Sequence, residues 1–515
     1  MRLTAGFILM LFFGLGACGK GPVVIPERNT QVSIVGDRFH INGVPTYEGR
    51  EWTTSYGGHY SVEGLLMNAR LVQGVFDDLN PKTRGQWTYP DTREWDPNRN
   101  TDEFVDAMGA WREHGLLAFT LNLQGGCPYG YCNDQPWDNS AFAPDGSLRA
   151  GYMNRLARVI EKADELGMIV ILGYFYFGQD DNLLDEQAVI TAVENATRWV
   201  LDKGYTNVIV EINNECNVRY DHEILQCARI HELINIAKDI SVDGRSLYVS
   251  TSLGGGAVPP TNIVEASDYI FLHGNGVSNP ERMVSMIRQV REMDAYRPVP
   301  IVNNEDDQPW RVDEQGWGET GNNFTESVKN YASWGFFDFR LNNEHDDYNL
   351  GFQSIPVNWQ ISSGRKHDFF RLLAEITGSP GTPIVHADFS EEIGKVTARI
   401  SDVRSDAPLE KVMLVVNNEV VATLAEEPWD FNLSDPPFGE HWVKVRAVYT
   451  SAERQVVIES PYFRNPWWPY GGPARYIGKL GILKMTARIS LRTWYYVVWS
   501  IREASLRQLS ILKGI

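Results

Sequence analysis

Between residues 116 and 339, short and continuously apolar runs alternate with longer stretches whose apolar residues recur at i, i+3 and i+4. The runs are 116–123 (LLAFTLNL), 168–177, 208–212, 247–251, 269–273, 300–302 and 336–339. A strand can be apolar on successive residues only when both of its faces are buried, as in a parallel sheet covered by helices. The stretches between read as those helices. Met153, Leu156, Val159, Ile160, Ala163 and Leu166 share one face before Gly167 at the C-cap position, and Ala192, Ala196, Trp199 and Val200 stripe another before Gly204. One further strand between Thr46 and Asp78 makes eight βα units, the number that closes a parallel barrel, so the fold class is α/β with a (β/α)8 barrel. An open doubly wound sheet is the competing architecture. It is disfavoured because no Gly-rich phosphate loop opens any helix.

The flanks break this pattern. Residues 32–45 (VSIVGDRFHINGVP) alternate and turn at Gly36-Asp37 and Asn42-Gly43, a hairpin placed to plug the bottom of a barrel. After a helix near 368–376, the Gly/Pro-rich segment 378–383 marks a boundary. Short alternating strands follow at 395–400, 411–416, 420–424 and 442–449, the pattern of an all-β sandwich of immunoglobulin type. A chain of 515 residues has room for both units. The expected division is therefore 1–17 targeting segment, 18–30 tether, 31–380 barrel, 381–463 sandwich and 464–515 tail. In the tail, from Arg475 to Lys513, Glu503 is the lone acidic residue, and no function is assigned to it.

Arg2, an apolar run to Gly16 and the small residues before Cys18 describe an export signal too short to span a bilayer. Leu15-Gly16-Ala17-Cys18 resembles the bacterial lipobox, which implies lipidation at Cys18 and a cell-envelope location, with membrane contact only through the anchor. Four other cysteines, Cys127, Cys132, Cys216 and Cys227, permit two disulfides in any of three pairings. Cys127 with Cys132 and Cys216 with Cys227 is favoured because each closes a short loop. A net charge of −19 argues against nucleic acid as a partner, since phosphate recognition needs clustered positive charge.

Polar clusters stand where the apolar runs stop: Asn122 and Gln124, Tyr174 and Tyr176, Asn213-Asn214-Glu215, Ser250 with Thr251, His273 with Asn275, and Asn303-Asn304-Glu305. In a parallel barrel those ends converge on one mouth, so Glu215 and Glu305 share a face although ninety residues separate them. Two carboxyl groups at one pocket suit glycosidic cleavage, where one must protonate the leaving oxygen while the other, ionised, meets the charge at the anomeric carbon.

Val210-Glu211-Ile212-Asn213-Asn214-Glu215 resembles the fourth-strand motif of clan A glycoside hydrolases, a TIM-barrel group, and Ile301-Val-Asn-Asn-Glu305 resembles its seventh strand. The resemblance implies that Glu215 is the acid/base, Glu305 the nucleophile, and Asn214 the contact to the sugar 2-hydroxyl. Tyr269-Ile-Phe-Leu-His273 resembles the sixth strand, whose His lines the pocket. Cys216 departs from the usual Pro, and a bridge to Cys227 would restore rigidity there.

The expected activity is retaining hydrolysis of β-glycosidic bonds in an oligo- or polysaccharide, by a monomer that needs no cofactor and no metal. Asn122, Gln124, Tyr176, His273, Asn214 and Asn304 are the expected substrate contacts. A non-catalytic glycan-binding lipoprotein and a transglycosylase are the alternatives. Asp306-Asp307 and the acidic segment 344–347 have the chemistry to bind calcium, but solvated acidic loops are the expected reading.

Overall fold

The computed structural model describes residues 28–89, 91–129, 132, 134–307, 319–338, 351–361 and 364–379, then 385–392, 395–403, 409–416, 419–434, 441–451, 454–459 and 463–465. The targeting segment with Cys18, most of the tether, the tail beyond 465 and the acidic segment 344–347 lie outside these residues.

Three short antiparallel strands open the described chain: β1 (Val32–Val35), β2 (Arg38–Ile41) and β3 (Val44–Pro45). Val32 N–H donates to Thr206 O, and Val32 and Phe39 pack with Ile169, Ile171, Ile209, Tyr269, Phe271 and Val302. The hairpin thus covers the N-terminal ends of the strands that follow. A second hairpin, β4 (Glu51–Thr53) and β5 (His59–Ser61), precedes them.

Eight strands then alternate with helices, in the order β6 (Asn68–Arg70), α1 (Pro97–Glu113), β7 (Ala118–Asn122), α2 (Ala150–Leu166), β8 (Ile169–Tyr176), α3 (Glu186–Asp202), β9 (Val208–Asn214), α4 (Ile230–Asp239), β10 (Val249–Ser250), α5 (Thr261–Ala266), β11 (Ile270–His273), α6 (Pro280–Arg291), β12 (Ile301–Glu305), α7 (Asn323–Lys329), β13 (Gly335–Phe336) and α8 (Gly364–Thr377). Local chemistry sets the helix ends. The Asp96 side chain caps α1 ahead of Pro97, Asn279 caps α6 ahead of Pro280, and Gly167 ends α2 at φ 71°.

All pairings among the eight are parallel. They form a six-stranded sheet, β10-β9-β8-β7-β6-β13, and a two-stranded one, β11-β12. Parallel bridges Val302–Ser333 and Asp306–Phe336 join β12 to the β13 side. The expected single closed ring therefore departs from the observed ladders between β10 and β11. The cause is local: β10 is two residues long, and toward β11 Asp268 N–H donates to Val249 O while Val249 N–H is taken by the Asp268 carboxylate instead of a strand carbonyl.

The C-terminal region holds β14 (Val385–Glu392), β15 (Lys395–Val403), β16 (Leu409–Val416), β17 (Glu419–Leu424), β18 (Asp430–Ser434), β19 (His441–Ser451), β20 (Arg454–Glu459) and β21 (Phe463–Asn465). They form two antiparallel sheets, β14-β15-β18 and β17-β16-β19-β20, with β21 paired to β19. Val412, Leu414 and Val416 are buried on β16, and Val443, Val445 and Ala447 on β19, with Val415 and Val448 buried beside them. β14, with charges at Asp388, Glu391 and Glu392, and the short β18, β20 and β21 carry no such signal.

Candidate active site

Strand register assembles the site. Paired residues of parallel strands project to the same side, and the pairings set His273 against Glu305 and Tyr176 against Asn214. Arg70, at the end of β6, reaches three of the acidic and amide groups. Its Nε lies 2.5 Å from Glu305 Oε2, Nη1 lies 3.2 Å from Glu211 Oε2, and Nη2 donates to Asn214 Oδ1 at 2.5 Å. His273 Nδ1 is 2.9 Å from Glu215 Oε1 and 3.7 Å from Glu305 Oε2, with Nε2 3.8 Å from Glu211 Oε1. Asn275 Nδ2 donates to Glu305 Oε1 at 3.0 Å and reaches Glu215 Oε1 at 3.4 Å. One ligating atom from each of Glu215, His273 and Glu305 lies within 4.8 Å of the others. Glu215 keeps 7 % of its surface exposed and Glu305 4 %, so both are withdrawn from bulk water.

Glu215 stands in a backbone conformation that non-glycine residues rarely adopt, with φ 57°. Its N–H donates to Ser252 Oγ at 3.0 Å, Val218 N–H donates to its carbonyl at 2.8 Å, and the next residue forms the Cys216–Cys227 disulfide. The other bridge is Cys127–Cys132, and Arg219 Nη2 donates to Cys132 O at 2.9 Å, tying one bridged loop to the other.

The buried charges act on one another. Burial raises the Glu211 pKa, but Arg70 and then His273 outweigh it and bring it to about 2. Burial alone would depress His273, yet Glu305, Glu211 and Glu215 raise it to about 9, so it is an imidazolium at neutral pH. Burial lifts Glu305 to about 7 against Arg70 and His273, with Glu215 and Glu211 adding to the rise. Burial also raises Glu215, but the His273 hydrogen bond and charge leave it below the ordinary value. Two cations thus face three carboxylates, and of the Glu215–Glu305 pair burial makes Glu305 the one that holds a proton more tightly.

The structure brings Asn214, His273 and Asn304 to the carboxylates, and Asn304 Nδ2 lies 3.3 Å from Glu211 Oε1. The Tyr176 ring stands beside Gly126, where an added Cβ would come within 2.9 Å of it. Asn122 is the register partner of Gly173, itself the partner of Glu211, and its Oδ1 occupies space that a Gly173 side chain would fill. Gln124 serves the loops instead: Oε1 accepts from Tyr176 N–H, and Nε2 donates to Ser140 Oγ and Gln179 O. Tyr174 contacts Thr197 on α3, and Asn213 is held by Leu225 O and Thr251.

Arg70 and Ser252 escaped sequence reasoning. The signal for Arg70 was a cation inside the apolar stretch LLMNARLV, since a buried guanidinium needs carboxylate partners. Asp306 accepts from Trp334 Nε1 at 2.9 Å, and Asp307 accepts from Gly276 N–H at 3.1 Å. Neither joins the one group of candidate metal-binding side chains among the described residues, Glu215, His273 and Glu305. That trio has ligating distances, but Arg70 covers Glu305 Oε2 and the His273 proton covers Glu215, so its cations are already supplied by the chain.

No family model and no curated protein matches the chain. Among solved structures it is similar to an FMN-binding β-glucuronidase from Facaelibacterium prausnitzii L2-6, at 13 % identity and TM-score 0.38 over 84 % of this chain and 59 % of that one. The chain therefore spans less than two thirds of that protein. It is also similar to an endo-β-1,4-mannanase from Thermotoga petrophila, at 13 % identity and TM-score 0.36 over 81 % of this chain and 99 % of that one. A glycoside hydrolase family 5 structure from Bacteroides vulgatus ATCC 8482 gives 12 % identity and TM-score 0.39 over 84 % and 94 %. Scores this low carry no argument, so the reading of the site rests on its own geometry.

Proposed function

We propose that this chain is a retaining β-glycosidase acting on an oligo- or polysaccharide. The observation that carries this is the spacing of Glu215 and Glu305, whose carboxyl oxygens approach within 4.8 Å. A retaining pair stands about 5–5.5 Å apart, whereas an inverting pair needs about 6.5–9.5 Å to admit a water between. In this reading Glu305 attacks the anomeric carbon as the leaving-group bond breaks, and Glu215 gives its proton to the departing oxygen. Glu215 then takes a proton from water, which attacks the glycosyl ester, restores the β configuration and frees Glu305. Arg70 bears on Glu305 Oε2 and favours the anion there, and its contact to Asn214 Oδ1 sets which way that amide turns. In this assignment the proton must rest on Glu215 before attack, and its Oε2 can carry it while His273 holds Oε1.

The electrostatics favour a second assignment, in which Glu305, the carboxyl raised to about 7, is the acid/base and Glu215 the nucleophile. Azide rescue separates the two. A nucleophile variant joined by azide yields the inverted glycosyl azide, and an acid/base variant yields the retained one. We expect Glu305→Ala to lose at least about 10³-fold in kcat on whichever glycan of a β-linked panel the parent cleaves, and to give the inverted azide. Unchanged hydrolysis in a clean preparation would remove Glu305 from the reaction, and a retained azide would exchange the roles. Products in acceptor-rich solution distinguish hydrolysis from transglycosylation.

The wider architecture belongs to the same proposal. The eight βα units form a (β/α)8 barrel, the C-terminal sheets an immunoglobulin-like sandwich, and the protein is an exported monomer lipidated at Cys18. A glycan-binding protein without chemistry is the alternative that the hydrolysis assay excludes.

A further inference from the structure

His273 is followed by Gly274, Asn275 and Gly276, a turn gripped from two sides. Gly256 N–H donates to His273 O, Gly274 N–H donates to Glu305 O, and Gly276 N–H donates to Asp307 Oδ1. The packing is close enough to demand glycine twice. A Cβ on Gly255 would fall 1.9 Å from Asn275 O, and one on Gly274 would fall 2.1 Å from Asp306 Oδ2. The Asn275 backbone is therefore fixed by its neighbours, and its amide nitrogen is carried to the Oε1 atoms of both Glu305 and Glu215, at 3.0 and 3.4 Å.

Two carboxyl groups with oxygens within 4.8 Å of one another have a simple alternative, which a turn of either side chain would bring into reach. One proton held between them in a short O–H···O⁻ bond would satisfy both. Such a bond would disable the site, because the acid could not release its proton to a leaving group while the anion was tied up accepting it. An amide N–H₂ offers one hydrogen to each carboxylate and carries no proton of its own to exchange. We propose that Asn275 is a positioning residue that holds Glu215 and Glu305 apart as two separate proton sites by occupying their facing oxygens. This rests on the glycosidase reading for its consequence, though not for its geometry. The other charged or titratable groups bearing on the pair are Arg70 from β6, Tyr176 from β8, Glu211 from β9, Tyr220 from the loop after β9, and His273 from β11. His273 reaches Glu215 at Oε1 but meets Glu305 at Oε2, whereas Asn275 reaches Oε1 of both.

The test uses the full chain with Asn275→Ala and, to keep the side-chain volume, Asn275→Leu, each checked by thermal unfolding. Infrared titration of the carboxyl C=O band, with Glu305→Gln as the blank, reads the pH at which the pair loses its last proton. Losing the two N–H donors raises that pH by about one unit, the scale of a lost hydrogen bond to an anion. With a cleaved glycan in hand, the basic limb of kcat/KM moves up by the same amount and kcat falls about 100-fold at unchanged KM, the scale of a lost positioned donor. If the band and the limb stay in place in a folded variant, whatever kcat does, the proposal is overturned. If the parent cleaves no glycan, the glycosidase reading fails and the infrared titration still decides the role of Asn275.

Discussion

His273 shows how one side chain can hold three acids in a small volume. Its pKa is raised from 6.5 to about 9, so its contribution to stability is complete below pH 6.5 and is lost as pH rises through 9. Glu305, raised from 4.5 to about 7, acts in the same direction, losing its contribution as pH rises through 7. Glu211, depressed from 4.5 to about 2, contributes above pH 4.5 and loses that contribution as pH falls toward 2. The contribution of the site to stability therefore peaks near pH 4.5 and declines on both sides. The difference in Tm between the parent and His273→Asn, followed from pH 4 to pH 10, should shrink on the alkaline side. A difference independent of pH would mean that His273 is neutral in the folded protein. Single residues in strands also carried the limits of sequence reading. Asn213 and Asn214 are adjacent and both polar, yet alternation sends one to a loop carbonyl and the other to Arg70. Gln124 sits at a strand end as expected, but its amide is fully engaged by backbone and loop partners.

At the scale of elements, the loop after β9 carries the heaviest constraint. It must hold Glu215 at φ 57°, a conformation that costs on the order of 1–3 kcal/mol for a residue with a side chain and persists only where its surroundings impose it. The Cys216–Cys227 bridge and the two Ser252 hydrogen bonds are those surroundings. Replacing both cysteines by serine should lower stability by about 2–3 kcal/mol, as expected for a bridge across eleven residues, and should lower kcat more than it changes KM. Parent-like kcat in the double variant would show that Ser252 and the strand suffice. The βα units themselves were legible because continuous apolarity and helical period are local signals. The β10 boundary was not. The run 247–251 is apolar enough for a strand, but β10 ends at Ser250, and beyond it the Thr251 and Ser252 hydroxyls bond sideways to Asn213 of β9.

For the whole molecule, the buried side chains of Val412, Leu414, Val416, Val443, Val445 and Ala447 belong to the same contiguous apolar cluster as Trp111 on α1 and Phe369 on α8. A shared core couples the C-terminal sheets to the helical region, so calorimetry should show one cooperative transition. Two separated transitions would show that the regions unfold independently. The sequence alone determined what depends on neighbours in the chain: alternating strands and helices, the bottom hairpin, and two acidic residues at strand ends. It could not show which polar residue of each cluster faces inward, that Arg70 stands among three carboxylate and amide partners, or that Asn275 lies between Glu215 and Glu305. Those facts depend on strand register and on groups far apart in the chain, 141 residues in the case of Arg70 and Glu211. Nor could it show which carboxyl holds a proton more tightly, because that is set by burial and by the summed field of side chains that only the folded chain brings together.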